Sequence, residues 1–204
     1  MRILVAADIF GTTEPLRTIA AQCNEWGHQA EIIGPYADAA WFDDEGRAYG
    51  FFLGQGGVAA YADKVRGHLE GRADMPVCIG FSAGAAALWQ VVAAAGEAVP
   101  LAVGFYGGQI RHAVTAAPRC PCLLIFPEDE PHFSVPGLIS RLQGRPGVHC
   151  AAVPWRHGYM NRLSVNFDRG GYDRTMTWLE WLLNRPGRAG LGEDVFRDLL
   201  NTGS

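Results

Sequence analysis

Six short apolar runs punctuate the chain, and each is bounded by glycine, proline or acidic residues. They cover residues 2–7, 30–34, 76–80, 101–107, 122–126 and 149–154. Most are continuously apolar rather than alternating, which is typical of strands buried on both faces of a parallel sheet. The pattern therefore predicts a sheet of about six strands.

Stretches with helical spacing lie between these runs. They cover residues 13–27, 58–71, 83–96, 135–144 and 172–183, and a short amphipathic piece follows a proline–glycine break in the tail after residue 184. Strands that alternate with helices favour an α/β fold with a doubly wound, mostly parallel sheet. We expect residues 1–204 to form a single domain.

The segment 35–57 does not fit this alternation. It is long for a connection in a compact domain, and it is rich in aromatic residues (Tyr36, Trp41, Phe42, Tyr49, Phe51 and Phe52). Long connections are often binding loops or lids. Two interpretations stay open: a lid over a site, or a loop that folds its aromatic side chains onto the core.

Composition narrows the classes of partner. The 204 residues are 49% hydrophobic and 19% charged, with a formal net charge of -4, which suits a globular core. No basic run that would track phosphates is visible, so we expect no nucleic acid partner. No apolar run approaches membrane-spanning length, and the first residues resemble a strand rather than a signal peptide, so we expect no membrane association. Nothing in the sequence indicates the oligomeric state.

The cysteines suggest neither a disulfide framework nor a metal site. There are five (Cys23, Cys78, Cys120, Cys122 and Cys150), an odd number with no disulfide-like spacing. The Cys120-Pro-Cys122 spacing is neither a standard zinc nor a standard redox motif. We expect reduced thiols, a cytoplasmic protein, and no metal or cofactor.

The most informative motif is Gly80-Phe-Ser82-Ala-Gly84, which fits G-x-S-x-G. In roughly one in ten chains of this length with the same glycine and serine content, such a match would arise by chance. The setting adds weight, because Ser82 follows a predicted strand and precedes a predicted helix, as in a nucleophile elbow. The N–H of Ala83 would then lie at a helix N-terminus, where it can stabilise an oxyanion.

A nucleophilic serine needs a base and an acid that orients the base. In α/β-hydrolases these residues follow the serine in the order acid, then histidine. Glu128, Asp129, Glu130 and His132 follow the fifth apolar run, and His157 follows the sixth. Each candidate thus lies past the carboxyl end of a strand, the edge at which open α/β sheets bind ligands.

Four segments together resemble the dienelactone hydrolase family of α/β-hydrolases. They are the opening strand with Ile9-Phe10-Gly11, the elbow at Gly80–Gly84, the acid loop Pro127–His132, and His157-Gly158-Tyr159. The resemblance spans roughly residues 2 to 183. It begins at the family's strand before the oxyanion loop, so we expect an α/β-hydrolase fold that lacks the family's first strands.

The resemblance implies roles for individual residues. Ser82 would be the nucleophile, where dienelactone hydrolase itself has cysteine, and His157 would be the general base. Glu130 would take the acid position, with Asp129 one step away. The oxyanion hole would use the N–H groups of Ile9 and Ala83. The residues expected to contact substrate are Asp8, Phe10, Tyr36, Tyr106 and Tyr159.

The leading hypothesis is therefore a serine hydrolase that cleaves a small ester, lactone or thioester through an acyl-enzyme. One alternative is a non-catalytic ligand-binding or interaction protein on the same scaffold, because fold does not fix function. Another is a serine peptidase with a flavodoxin-like fold, whose G-x-S-A-G-A motif the segment 80–85 also resembles. The peptidase alternative leaves the His157-Gly-Tyr motif unexplained.

Overall fold

The computed structural model describes residues 1–37, 40–94, 99–185 and 191–200. Its strands are β1 (Arg2–Ala6), β2 (Gln29–Ile33), β3 (Val77–Phe81), β4 (Ala102–Phe105), β5 (Cys122–Pro127) and β6 (Val148–Val153). Its α-helices are α1 (Glu14–Glu25), α2 (Glu45–Gly54), α3 (Gly57–Leu69), α4 (Ala83–Ala93), α5 (Val135–Gln143), α6 (Arg169–Asn184) and α7 (Arg197–Leu200). The six predicted strands are confirmed, with bounds that shift by at most a few residues.

The strands form one sheet in the order β2-β1-β3-β4-β5-β6, and every pairing is parallel. The predicted doubly wound sheet is thus confirmed. The direction of winding reverses between β1 and β3, and this switch point is where such sheets open a crevice at their carboxyl edge.

Both faces of the sheet are covered, which explains why the strands are continuously apolar. On one face, α1 and α6 pack onto side chains such as Val5, Ile79 and Ile125. On the other face, α3, α4 and α5 pack onto the alternate strand residues, among them Leu4 and Leu124. Alternation along each strand sends its side chains into these two separate cores.

The segment 35–57 contains a helix that the sequence analysis did not predict. Helix α2 begins after Asp44, whose side chain accepts a hydrogen bond from the Arg47 N–H at 2.8 Å. Ala48 and Phe52 are buried one turn apart, and they anchor the helix to the rest of the protein. The segment is therefore not a plain loop, and it buries two of its aromatic side chains, Tyr36 and Phe52.

Some predictions lie partly outside the described residues. The predicted helix 83–96 corresponds to α4, which ends at Ala93, and residues 95–98 are not described. In the tail, a 3-10 turn (Glu193–Phe196) leads into α7, whereas residues 186–190 and 201–204 are not described. All five cysteines are buried free thiols. Across the described part of the chain, no helix has both the length and the apolar character needed to span a bilayer.

Candidate active site

Ser82 lies on a sharp turn between β3 and α4. Its backbone has φ 50° and ψ -110°, a region that residues other than glycine rarely adopt. The Ser82 N–H donates to the Phe105 carbonyl at 2.9 Å, which ties the turn to the end of β4. The surrounding structure thus holds a strained backbone in place, as is common at functional sites.

The two glycines of the motif are required by close backbone approach. A Cβ on Gly84 would lie 2.3 Å from the Ala6 carbonyl oxygen and 2.5 Å from that of Ala7. A Cβ on Gly80 would lie 2.6 Å from the Ala85 nitrogen. Helix α4 can therefore rest against β1 and β3 only because both positions lack a side chain.

A chain of hydrogen bonds links three side chains that follow different strands. Ser82 Oγ lies 2.9 Å from His157 Nε2, and His157 Nδ1 lies 2.7 Å from Glu130 Oε1. A carboxylate only accepts hydrogen bonds, so Nδ1 carries the proton and Nε2 is left free to accept from the serine hydroxyl. The Glu130 side chain is 8% exposed and that of His157 is 35% exposed, so the acid is shielded while the imidazole stays accessible.

The neighbouring candidates lie elsewhere. Asp129 is exposed to solvent, and the carboxylate within hydrogen-bonding distance of the imidazole is that of Glu130. His132 lines the cleft beside the serine but is exposed. The arrangement therefore favours Glu130 over Asp129, and His157 over His132, as partners of Ser82.

Two further side chains contact His157, one at its ring and one at its backbone. The ring of Tyr106 lies 5.0 Å from the His157 ring, at an interplanar angle of 51°. Asn166 Nδ2 donates to the His157 carbonyl at 3.0 Å and so fixes the backbone of the histidine loop. Sequence reasoning missed Asn166, because no motif marks a side chain that binds backbone nine residues away.

A cleft of about 540 Å³ opens in front of Ser82. Its apolar surface comes from Ile9, Tyr49, Phe52 and Phe133, and its charged or titratable side chains outside the hydrogen-bonded chain are Glu45, Arg111 and His132. The volume falls within the range of small-molecule sites. Helix α2 supplies one whole wall, so the aromatic segment 35–57 does border the site.

Among the lining residues, Glu45, Gly46 and Gln109 were not predicted, whereas Tyr49 and Phe52 belong to the aromatic segment noted in the sequence. Two local features could have indicated α2. Asp44 is a favourable N-cap residue, and Ala48 and Phe52 are spaced one helical turn apart. No comparable signal marks Gln109, which a 3-10 turn (Gly108–His112) brings to the cleft together with Arg111.

Both predicted oxyanion donors border the cleft. Ile9 follows β1, and Ala83 begins α4 directly after the serine. The first N–H groups of a helix have no acceptor within that helix, so that of Ala83 is available for an anion. The two N–H groups flank the switch point between β1 and β3.

The five residues expected to contact substrate are placed behind the cleft. Their exposed fractions are 7% for Asp8, 5% for Phe10, 4% for Tyr36, 1% for Tyr106 and 0% for Tyr159. Over the described residues, none of the five lines the cleft in front of Ser82. The expectation is corrected accordingly, because their side chains are used in packing and hydrogen bonds within the protein.

Asp8 is a buried carboxyl directly before Ile9 in the loop after β1. Burial raises the pKa of its carboxyl from 3.8 to about 6, although hydrogen bonds from Asn161 and from the Phe10 N–H act in the opposite direction. Among the described residues, no group of three or more histidine, cysteine or acidic side chains is placed to hold a metal ion.

Comparisons with known proteins identify the fold. No family model matches the chain. The uncharacterized protein YczH of Bacillus subtilis (strain 168) is 36% identical over 101 residues, which is 48% of this chain and 49% of YczH. The match thus spans about half the length of that relative.

Solved structures match over most of the chain. A Klebsiella pneumoniae protein provisionally named a dienelactone hydrolase superposes with a TM-score of 0.68 at 16% identity, over 90% of this chain and 87% of that one. The dienelactone hydrolase-like promiscuous phosphotriesterase P91 from metagenomic libraries gives 0.63 at 18% identity, over 89% and 82%. A cold-adapted esterase from an Arctic intertidal metagenomic library gives 0.58 at 16% identity, over 88% and 82%. The chain therefore has the α/β-hydrolase fold of these structures, and at this identity the likeness concerns the fold alone.

Proposed function

We propose that this protein is a serine hydrolase that cleaves a small ester, lactone or thioester through a covalent acyl-enzyme. The observation that carries the proposal is the hydrogen-bonded chain Ser82–His157–Glu130, which borders an open cleft. A binding protein on the same scaffold would have no need of a strained serine aligned with a histidine and a shielded carboxylate.

In the first half of the reaction, Ser82 Oγ attacks the substrate carbonyl carbon while its proton passes to His157 Nε2. Glu130 stabilises the imidazolium that forms, and it keeps the proton on Nδ1 throughout. Collapse of the tetrahedral intermediate breaks the bond between the acyl carbon and the oxygen or sulfur of the leaving group. His157 then returns its proton to the departing alcohol or thiol, and the acyl group remains on Ser82.

In the second half, a water molecule takes the place of the leaving group. His157 accepts a proton from this water as its oxygen attacks the acyl carbon, and then protonates Ser82 Oγ as the acid product departs. The negative oxygen of each tetrahedral intermediate is bound by the N–H groups of Ile9 and Ala83. Each step thus reuses the same three side chains and two donors.

The cleft limits the size of substrate. A cavity of about 540 Å³ accepts a small organic ester but not a folded protein chain. Tyr49 and Phe52 on α2 suit a hydrocarbon or aromatic group next to the scissile carbonyl. Cytoplasmic location and a single domain over residues 1–204 remain part of the proposal.

The proposal is tested by p-nitrophenyl acetate turnover and by labelling with a fluorophosphonate. We expect wild type to turn over the ester and to be labelled on Ser82. Ser82→Ala and His157→Ala should each lose about 10⁴-fold or more in kcat, because triad members act as a unit. Turnover that is unchanged in both variants, or wild type that neither reacts nor labels, would contradict the proposal.

A matched pair of variants identifies the acid. Glu130→Gln should lower kcat by about 10³- to 10⁴-fold, because an amide in place of the carboxylate stabilises the wrong imidazole tautomer. Asp129→Asn, one residue away and exposed, should retain activity within about twofold. The reverse result would transfer the acid role to Asp129.

A further inference from the structure

Two loops carry the separate halves of the site, and a buried pair of polar side chains joins them. The loop after β1 holds Ile9, and the loop after β6 holds His157. Between them, Asn161 Nδ2 donates to Asp8 Oδ2 at 2.8 Å, across 153 positions of sequence. Asp8 is 7% exposed and Asn161 is 5% exposed, so water does not compete for this contact.

Each member of the pair also binds its own loop. Asp8 Oδ1 accepts from the Phe10 N–H at 2.9 Å, and Asn161 Oδ1 accepts from the Leu163 N–H at 2.9 Å. Asp8 Oδ2 and Asn161 Nδ2 bond to each other, and the remaining oxygen of each side chain accepts from a backbone N–H of its own loop. One amide and one carboxylate are therefore needed to satisfy the pair, because two amides or two carboxylates would lose a bond.

Further hydrogen bonds in the same loop fix the peptide that carries the oxyanion donor. The Asp8 carbonyl accepts from the Gly11 N–H at 3.2 Å, and the Tyr36 hydroxyl binds the Ile9 carbonyl. In a trans peptide the N–H points away from the carbonyl of the same unit. With the Asp8 carbonyl turned into the loop towards Gly11, the Ile9 N–H is directed to the opposite side.

We propose that Asp8 and Asn161 form a positioning pair, the Asp8–Asn161 bridge, which holds the oxyanion donor of Ile9 at a fixed place relative to His157. This inference rests on the proposed hydrolase function, since it concerns how that site is assembled. Oxyanion donors act only when they lie about 2.7–3.1 Å from the developing charge, so a small displacement of the β1 loop reduces their effect. The bridge does not touch the substrate, and it acts through the two loops.

Burying a carboxylate at position 8 costs free energy of desolvation, which an apolar side chain at the same place would not. Desolvation raises the Asp8 pKa to about 6, and the nearby Glu45 acts in the same direction. His157 acts in the opposite direction and lowers the Asp8 pKa. Asp8 in turn raises the pKa values of three nearby tyrosines, Tyr36, Tyr61 and Tyr106. A charge kept at this cost beside the site is better explained by a requirement for two strong acceptor bonds than by core stability.

The two side chains can be exchanged without losing a hydrogen bond, and this provides the test. In Asp8→Asn, an amide N–H₂ faces the Asn161 N–H₂ and one bond is lost whichever way either amide turns. In Asn161→Asp, two carboxylates face each other. In the double variant, Asn at 8 still accepts from the Phe10 N–H and donates to Asp at 161, which still accepts from the Leu163 N–H.

The expected result is a loss in both single variants that the double variant reverses. Each single variant should lower kcat for p-nitrophenyl acetate by about 10- to 100-fold with KM changed by less than about threefold, since the lost interaction belongs to the transition state. The double variant should recover to within about fivefold of wild type. Thr175→Val serves as control, because it removes a buried hydrogen bond to Tyr159 at 3.0 Å, away from the cleft, and it should lower the melting temperature without lowering kcat.

The outcomes separate this proposal from the one on which it rests. If wild type shows no turnover that depends on Ser82, the hydrolase proposal fails and the bridge fails with it. If turnover depends on Ser82 but both single variants keep wild-type kcat, the bridge alone is overturned. It is also overturned if the double variant is as impaired as the worse single variant, because charge placement or packing would then explain the losses. Asp8→Asn introduces no buried charge and keeps the comparison possible even if Asn161→Asp does not fold.

Discussion

The cleft has two walls that are built in opposite ways. The wall at the sheet edge consists of the Gly80–Gly84 turn and the loop after β1, and its backbone is packed so closely that a side chain is excluded at Gly80 and at Gly84. The wall formed by α2 presents Tyr49 at 48% exposure, with Phe51 and Leu53 exposed beside it. One wall is fixed by backbone contacts, and the other is held by a few side chains.

The attachment of the α2 wall shows the contrast most clearly. Ala48 and Phe52 are its buried residues, and the rings of Tyr36, Phe42 and Phe51 pack together at centroid distances of 5.1 to 5.3 Å. We therefore expect changes at the sheet edge to affect folding and chemistry, whereas changes on α2 affect which substrate is held. Three predictions test this difference, in order of expected size.

The largest effect is expected for an added methyl group at the elbow. Gly84→Ala places a Cβ 2.3 Å from the Ala6 carbonyl oxygen, so α4 must move off the sheet. We expect a loss of about 3 kcal/mol or more in the free energy of unfolding, measured by urea denaturation. The matched control on the other wall is Gly50→Ala in α2, where a Cβ meets nothing within 4 Å. It should stabilise the protein by up to about 1 kcal/mol, because alanine favours a helix. Equal behaviour of the two variants would contradict the contrast between the walls.

A second effect concerns the buried charge of the sheet-edge wall. The Asp8 pKa is raised from 3.8 to about 6 in the folded protein, so the folded state binds the proton more tightly than the unfolded state. Its contribution to stability is therefore present below about pH 4 and is lost as the pH rises through about 6. Relative to Asp8→Asn, wild type should lose about 2–3 kcal/mol between pH 4 and pH 7. A difference between wild type and Asp8→Asn that stays flat over this range would contradict the raised pKa of Asp8.

The smallest effect is expected on the α2 wall. Tyr49 lines the cleft, so Tyr49→Ala should raise KM for an aromatic ester about three- to tenfold while kcat changes by less than twofold, since it removes contact made equally in ground and transition states. Leu53→Ala alters the same helix at a residue that is 53% exposed and outside the lining. It should leave both constants within about twofold. A large fall in kcat for Tyr49→Ala would show that α2 takes part in the chemistry.

The residues that sequence reasoning misplaced are those whose environment depends on distant packing. Tyr36 and Tyr159 were expected at the substrate, yet they pack behind the site and bind the Ile9 carbonyl and Thr175. A tyrosine near a motif gives no sign of which way its hydroxyl turns. Helix α2 was missed for a related reason, because its three glycines lower helix propensity, and its cap and buried pair compensate only in context.

The sequence by itself determined the six strands, the helices other than α2 and the place of Ser82 between a strand and a helix, because continuous apolar runs, glycine spacing and helix periodicity are local properties. It also placed the acid and base loops at strand ends. Only the tertiary structure shows that Glu130 reaches His157 Nδ1 at 2.7 Å whereas Asp129, adjacent in sequence, is exposed to solvent. Likewise, only the fold brings Asp8 to Asn161. A hydrogen bond across 153 positions depends on how two loops meet at one edge of the sheet, and no local pattern encodes that meeting.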